Sequence, residues 1–259
     1  MEITKIKEIA EEAEGIKTFR TELEVDAIPG QFVMVWIPGV EEKPMSLSYV
    51  TGNLGITALA CGPFTNRLHE MGAGELLGIR GPYGRGFKIE GDKLLVVGGG
   101  VGMPPLAALA EKALQAEKDV TVTIGAQTKS ALLFVDRLKN AGAKVLTCTD
   151  DGTCGNKGYP TDILEGLLKK ETFDQCYTCG PEIMMHNVLQ MAEEARIPTQ
   201  LSAERYFKCG IGVCGHCTMD DTGARVCKEG PVFADKDLEN TEFGKYARDA
   251  SGKRIYFKT

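Results

Sequence analysis

The chain has 259 residues, 30 basic against 36 acidic, for a net charge of −6; this is room for one large domain or two modest ones, and the acidic balance argues against a nucleic-acid binder. Hydrophobic residues at 43% and charged residues at 25% exclude wholesale disorder. Two counts stand out: 31 glycines, and nine cysteines, an odd number that cannot close into intramolecular disulfides alone.

The opening stretch, MEITKIKEIAEEAEG, is charged throughout and has no apolar run before a small-residue cleavage site, so no targeting segment is expected. Residues 1–90 read as β. Ile16–Val25 alternates, Gln31–Ile37 is nearly all apolar, and Met45–Val50, Gly55–Cys61 and Glu75–Arg80 follow, separated by turn residues such as Pro29-Gly30, Gly52-Asn53 and Gly81-Pro82. About six short strands with such punctuation predict a small antiparallel barrel.

After Gly91 the period changes. Lys93–Val97 reads as a buried strand, followed by a glycine turn and a helix opened by Pro104-Pro105, where proline is tolerated. Strands Val120–Ile124, Lys144–Thr149, Gln175–Cys179 and Thr199–Ala203 alternate with helices Ala131–Ala141, Thr161–Lys170 and Pro181–Ala195. Over 91–204 this predicts a doubly wound parallel sheet with helices on both faces. The most apolar stretch, Leu94–Ala110, is broken by Gly and Pro and is no membrane helix. Residues 205–233 hold four of the nine cysteines, and 234–259 read as a polar tail with little core material.

Cys209, Cys214, Cys217 and Cys227 follow the spacing C-x4-C-x2-C-x9-C, the order of a plant-type [2Fe–2S] ligand set. Gly210, Gly212 and Gly215 let the loop fold closely and turn backbone N–H groups toward the sulfurs. A four-cysteine zinc site is the rival, but zinc ligands usually come as two C-x2-C pairs and only one such pair is present. His216 would suit a Rieske-type site, but no second matching His follows and four cysteines already complete a set. With no targeting or membrane segment expected, the chain reads as cytoplasmic, where nine thiols stay reduced and a cysteine cluster means metal or catalysis before disulfides.

Gly98-Gly99-Gly100-Val101-Gly102 lies between a strand and a helix, so helix N–H groups face whatever lies above the turn. Alone, the run is also what a tight strand-to-helix turn requires. A second strand-to-helix turn, Cys179-Gly180-Pro181-Glu182-Ile183-Met184, favours a nicotinamide site at these two strand ends.

Together, GGGVG and CGPEIM resemble the pyridine-nucleotide domain of the ferredoxin–NADP reductase superfamily, in which a flavin-binding barrel comes first. The resemblance implies FAD on the barrel. Lys43-Pro44-Met45-Ser46 stands where the superfamily carries Arg-x-Tyr-Ser or Arg-Pro-x-Ser, with the serine next to flavin N5. Lys43 keeps the charge of that arginine but not its bidentate fork. Gly62 and Thr65 of CGPFT resemble the pyrophosphate-binding Gly and Thr, and Gly81-Pro82-Tyr83-Gly84 with Gly86-Phe87 matches the turn at the barrel exit. ERYFKCGIGVCGHC followed by VCKEGPVF is similar to the electron-transfer subunits of NAD-dependent (type B) dihydroorotate dehydrogenases, in which Met commonly stands at the place of Phe207.

A nicotinamide exchanges electrons in pairs as hydride and a [2Fe–2S] cluster singly, so a chain with both sites needs a flavin between them. The resemblance implies that electrons pass from an FMN-containing, dihydroorotate-oxidising catalytic subunit through [2Fe–2S] and FAD to NAD⁺, in pyrimidine biosynthesis. Ser46 is expected nearest the flavin and Cys179 nearest the nicotinamide, with Gly98, Gly99, Gly100, Gly102, Gly180 and Pro181 around the cofactor. NAD is expected over NADP because Gly125–Lys129 offers one Lys and no Arg to a 2′-phosphate. A hetero-oligomer is expected, with the cysteine segment at the interface and neither nucleic acid nor membrane as a partner. The alternatives are a reductase subunit of a sulfide dehydrogenase or ferredoxin–NADP transhydrogenase complex and, from another class, a zinc-binding nicotinamide redox sensor.

Overall fold

The computed structural model describes residues 1–257. Its first element is one the sequence pattern hides: Glu2–Ala13 is strand β1, antiparallel to β2 (Ile16–Asp26). Only Thr4, Ile6 and Ala13 of β1 are buried, too few inward apolar residues for the alternation to stand out. With β3 (Phe32–Ile37), β4 (Glu41–Tyr49), β5 (Thr51–Leu59) and β6 (Leu76–Tyr83) it closes a six-stranded barrel in the order β1-β2-β5-β4-β3-β6. Every pairing in it is antiparallel. Phe19, Val33, Val35, Leu47, Leu54, Ile56, Leu77 and Ile79 fill its interior. Helix α1 (Pro63–Glu70), also unforeseen, adds Phe64 and Leu68 to that core. Truncating Leu68 to Ala would cost about 2–5 kcal/mol.

The second half begins with β7 (Lys93–Gly99) and α2 (Met103–Gln115), then β8 (Asp119–Ala126), α3 (Val135–Ala141), β9 (Lys144–Thr149) and β10 (Asn156–Lys157). It continues through α4 (Pro160–Leu168), β11 (Gln175–Cys179), α5 (Glu182–Glu194) and β12 (Thr199–Ser202), and β13 (Val232–Ala234) joins at the edge. The sheet order is β10-β9-β8-β7-β11-β12-β13, parallel throughout except for β13, which pairs Val232 with Ser202 antiparallel. The chain starts at β7, winds outward through β8 and β9, then returns to the other side as β11. The reversal falls between β7 and β11, so the carboxyl ends of those strands form the crevice where such sheets take ligands.

Helix α2 is buried nearly all round, as expected of a helix with protein on both sides. Leu106, Leu109 and Ala110 join the sheet's core, while Ala108 joins the barrel's. The helix expected over Ala131–Ala141 is split. A 3₁₀ turn covers Lys129–Ala131, and buried Phe134 takes the left-handed conformation (φ 61°) that restarts the chain as α3.

Residues 235–257 correct the expectation of a polar tail with little core material. Leu238 and Phe243 are buried in a cluster that also takes Phe32 and Met34 of the barrel, Met185 of α5, and Cys217, Met219, Val226 and Cys227. A hairpin of β14 (Tyr246–Arg248) and β15 (Arg254–Tyr256) follows. Only two of the segment's large apolar residues, Leu238 and Phe243, are buried, and scattered among many charged residues they left little for a hydropathy pattern to register. Among the described residues no helix is long and apolar enough to cross a membrane.

Candidate functional site

The two strand-to-helix turns singled out by sequence meet at the crevice. Cys179 lies opposite Gly98 in the β11–β7 register. A Cβ on Gly102 would sit 2.3 Å from the Cys179 carbonyl oxygen, and one on Gly180 would sit 3.0 Å from the Gly99 carbonyl oxygen. Gly98 and Gly99 are crowded in turn by the sulfurs of Met103 and Met184. Three of the four glycines of the run are thus small because protein packs against them. Gly100 differs: its φ is +51° and nothing lies within 4 Å of where its Cβ would be. It opens the 3₁₀ turn that leads into α2, so free space adjoins a helix N-terminus.

Cys179 is half-buried, and burial pushes its thiol up to about 12, assisted by the charge of Glu204 and opposed by a hydrogen bond with Ser202. Sequence reasoning missed Ser202 and Glu204, which reach the site by following β12 off the sheet. The signal was present in the strand assignment, since β12 is the neighbour of β11.

On the barrel, Lys43, Pro44, Met45 and Ser46 lie in β4 opposite Val35, Met34, Val33 and Phe32 of β3, all four half-buried. Lys43 Nζ pairs with Glu41 at 2.8 Å and stands 5.4 Å from the centre of the Tyr206 ring. Gly62 caps α1, and the Thr65 hydroxyl accepts from the backbone N–H groups of Cys61 and Gly62 at 2.9 and 3.1 Å. No atom lies within 4 Å of a Cβ placed on Gly62, so this helix end also faces open space.

The four cysteines of the lobe between β12 and β13 come together as two pairs. The Cys214 N–H donates to Cys209 Sγ and the Cys227 N–H donates to Cys217 Sγ, each at 3.4 Å. Gly210, Gly212 and Gly215 all have positive φ, 72°, 77° and 69°. The loop they bend turns N–H groups inward: Gly212 donates to Cys227 Sγ at 3.1 Å, and Val213 and Cys214 both donate to Cys209 Sγ at 3.4 Å. Burial works against a Cys209 thiolate, yet the N–H groups of Cys214, Ile211 and Val213 hold this thiol down at about 6. Burial, with the Cys217 thiol beside it, pushes Cys227 up to about 12. Arg225, ion-paired with Glu229, donates to the Gly212 carbonyl at 2.8 Å and braces the loop. Among the described residues no three His, Cys, Asp or Glu converge on one ion position.

The lobe is seated on the barrel. Phe207 packs against Phe32 with ring centres 4.9 Å apart, and Gly210 lies against Met34. Arg80 of β6 grips Glu42 with two hydrogen bonds, at 2.7 and 2.6 Å, and donates to the Cys209 carbonyl. Sequence reasoning did not single out Arg80, which is separated from Cys209 by 129 positions.

A barrel joined to a switch-point sheet and followed by a cysteine lobe defines an oxidoreductase chain of the nicotinamide-linked reductase class. Residues 96–190 match the family model of the oxidoreductase NAD-binding domain, and residues 204–239 match that of the iron–sulfur cluster binding domain of dihydroorotate dehydrogenase B. The chain belongs to the family of electron-transfer subunits of NAD⁺-linked dihydroorotate dehydrogenase B. It is 48% identical over 98% of both chains to the protein of Methanocaldococcus jannaschii named "Probable dihydroorotate dehydrogenase B (NAD(+)), electron transfer subunit". It is 51% identical to the Methanocella arvoryzae protein of the same name, over 96% of both chains. Among solved structures it is similar to one described as an NADH-dependent reduced ferredoxin–NADP oxidoreductase, with a TM-score of 0.83 at 28% identity over 94% of this chain and 91% of that one. The ferredoxin reductase of a carbazole 1,9a-dioxygenase shares the fold, with a TM-score of 0.68 at 18% identity over 78% and 68%.

Proposed function

We propose that this chain receives electrons singly at the cysteine lobe and delivers them in pairs to NAD⁺, with FAD on the barrel between the two sites. Residues 1–90 carry FAD in this reading, 91–204 the nicotinamide and 205–233 the cluster. When bound, the [2Fe–2S] cluster supplies one-electron transfer, FAD the exchange between single electrons and a pair, and NAD⁺ the acceptance of hydride. The observation that carries the reading is the pairwise gathering of the four sulfurs in a loop that turns its N–H groups toward them. Two separate pairs suit two irons, with Cys209 and Cys214 on one and Cys217 and Cys227 on the other.

The other residues act by binding and orientation. The open end of α1 at Gly62 and Thr65, with Lys43 as counter-charge, suits the FAD diphosphate. In this reading Ser46 stands nearest the flavin ring, and Gly100 and the start of α2 face the nicotinamide dinucleotide, with Gly180, Pro181 and Cys179 on the opposite wall. The neutral Cys179 thiol excludes water and leaves no charge beside the hydride path.

The electron source in this reading is an FMN-containing catalytic subunit that oxidises dihydroorotate. Its docking face is the lobe tip, where Ile211 and Val213 expose apolar side chains beside Cys214. A cytoplasmic setting belongs to the same reading, since all nine cysteines are free. The test is to purify the chain anaerobically with its partner and measure iron, flavin and electron transfer from dihydroorotate to NAD⁺. Colourless protein with stoichiometric zinc, or full transfer in Cys217→Ala, would sink the relay.

A further inference from the structure

Arg205 stands four residues ahead of Cys209 and has no part in the scheme above, yet its side chain is only 3% exposed. All five of its N–H groups are used. Nη1 donates to Glu182 Oε2 at 2.6 Å and to the Glu204 carbonyl at 2.7 Å, and Nη2 donates to Glu182 Oε1 at 3.3 Å and Glu242 Oε1 at 3.1 Å. Nε donates to Glu242 Oε1 at 3.1 Å. The two carboxylates are themselves buried, 9% and 5% exposed. They reach further: Glu182 Oε1 accepts the N–H of Gly244 at 2.8 Å, and Glu242 Oε2 accepts that of Asp220 at 2.9 Å. The Asp220 carboxylate in turn holds the terminal hairpin through Tyr246, Arg248 and Arg254.

One guanidinium thus joins three segments that meet nowhere in sequence. Glu182 directly follows the Gly180-Pro181 turn, Asp220 lies three residues beyond Cys217, and Glu242 and Gly244 belong to the C-terminal segment. Burying one cation with two carboxylates is a poor route to stability, since well-packed apolar side chains would serve as well. Directional bonds with every donor satisfied instead hold one geometry.

We propose that Arg205 is a positioning residue that fixes the cysteine lobe relative to the nicotinamide turn, with residues 235–257 as the clasp that completes it. The inference rests on the relay proposed above, and its test separates the two.

The experiment uses the full chain loaded with FAD and cluster, as wild type, Arg205→Lys and Glu242→Gln. Lysine keeps the charge but cannot span three partners with a fork. Three readouts apply: hydrogen exchange at the Gly244 and Asp220 amides, the electron paramagnetic resonance line shape of the reduced cluster, and the single-turnover rate of electron passage from NADH-reduced flavin to cluster. Arg205→Lys is expected to keep its iron and flavin while both amides lose protection about tenfold. The line shape broadens and passage slows about ten- to a hundredfold, the scale on which small misplacements act. Glu242→Gln, which preserves shape and is the fallback if Arg205→Lys fails to fold, shifts all three in the same direction by less. Loss of amide protection with an unchanged line shape and rate would overturn the proposal, as would unchanged protection in both variants. A wild-type chain without iron would instead overturn the relay itself.

Discussion

Arg80 Nη2 lies 3.4 Å from the carbonyl oxygen of Cys209, so the last strand of the barrel touches the first cysteine of the lobe. The same guanidinium is held flat by its two bonds to Glu42, half-buried like itself. Replacing Arg80 with Met leaves Glu42 without its partner and should cost about 1–3 kcal/mol in urea unfolding. Arg80→Lys should recover little of this, because an ammonium cannot make the paired contact. Equal stability of the lysine variant and wild type would contradict the geometry.

Cys217 and Cys227 are both buried, whereas Cys61 is exposed and Cys154 half-buried away from the lobe. Alanine at 209, 214, 217 or 227 should abolish stoichiometric iron and visible colour while leaving far-ultraviolet circular dichroism close to wild type. Alanine at Cys61 or Cys154 should retain the full complement of iron. Iron analysis of the six variants decides the ligand set.

Gly102 and Gly100 sit two residues apart and should fail in different ways. Alanine at Gly102 would drive its Cβ to 2.3 Å from the Cys179 carbonyl oxygen and 2.5 Å from the Gly180 nitrogen. Neither atom can move without shifting a strand end, so a cost of about 1–3 kcal/mol in stability is expected. Gly100→Ala meets no neighbour and carries only left-handed backbone strain, about 1–2 kcal/mol. Its new methyl group occupies the space assigned to the dinucleotide, so KM for NADH in dye reduction should rise more than in Gly102→Ala at matched folded fraction.

Glu171 receives hydrogen bonds from Lys144 and Lys93, at 2.6 and 2.9 Å, which pull its carboxyl down to about 2. An unperturbed glutamate titrates near 4.3. A depressed folded value means the contribution is complete above about 4.3 and is lost as the pH falls toward 2. Glu171→Gln should therefore melt below wild type at pH 7, with the gap closing as the pH drops from about 4.3 toward 2. A gap independent of pH over that window would show that the two lysines do not hold the carboxylate.

The change from period-two strands to strand–helix alternation was legible because apolar runs dominate β7, β8 and α2. The cysteine spacing and the glycine turns were legible because their chemistry demands fixed residue types at fixed intervals. β1 was not, since a strand that spends most of its outward positions on charge and buries only three residues resembles a charged surface segment. Nor was α1, where eight residues with two inward side chains fall short of a recognisable period. The Arg205 network was invisible for a different reason: its members, at 182, 205 and 242, become neighbours only after the sheet, the lobe and the clasp are all in place. Within the glycine run, three members answer to protein neighbours and one to open space, a division that residue identity alone does not carry.

The barrel's share of the face that receives the lobe, with Phe32 and Met34 of β3 and Arg80 of β6, lies within the first third of the chain. Synthesis runs from the N-terminus, and domains generally fold as units while it proceeds. The four cysteines therefore leave the ribosome after the barrel's share of that platform, and before Leu238 and Phe243, which close the same cluster. A lesion at Phe32, Met34 or Arg80 is accordingly expected to lower iron incorporation, with the iron content of the purified chain as the measurement.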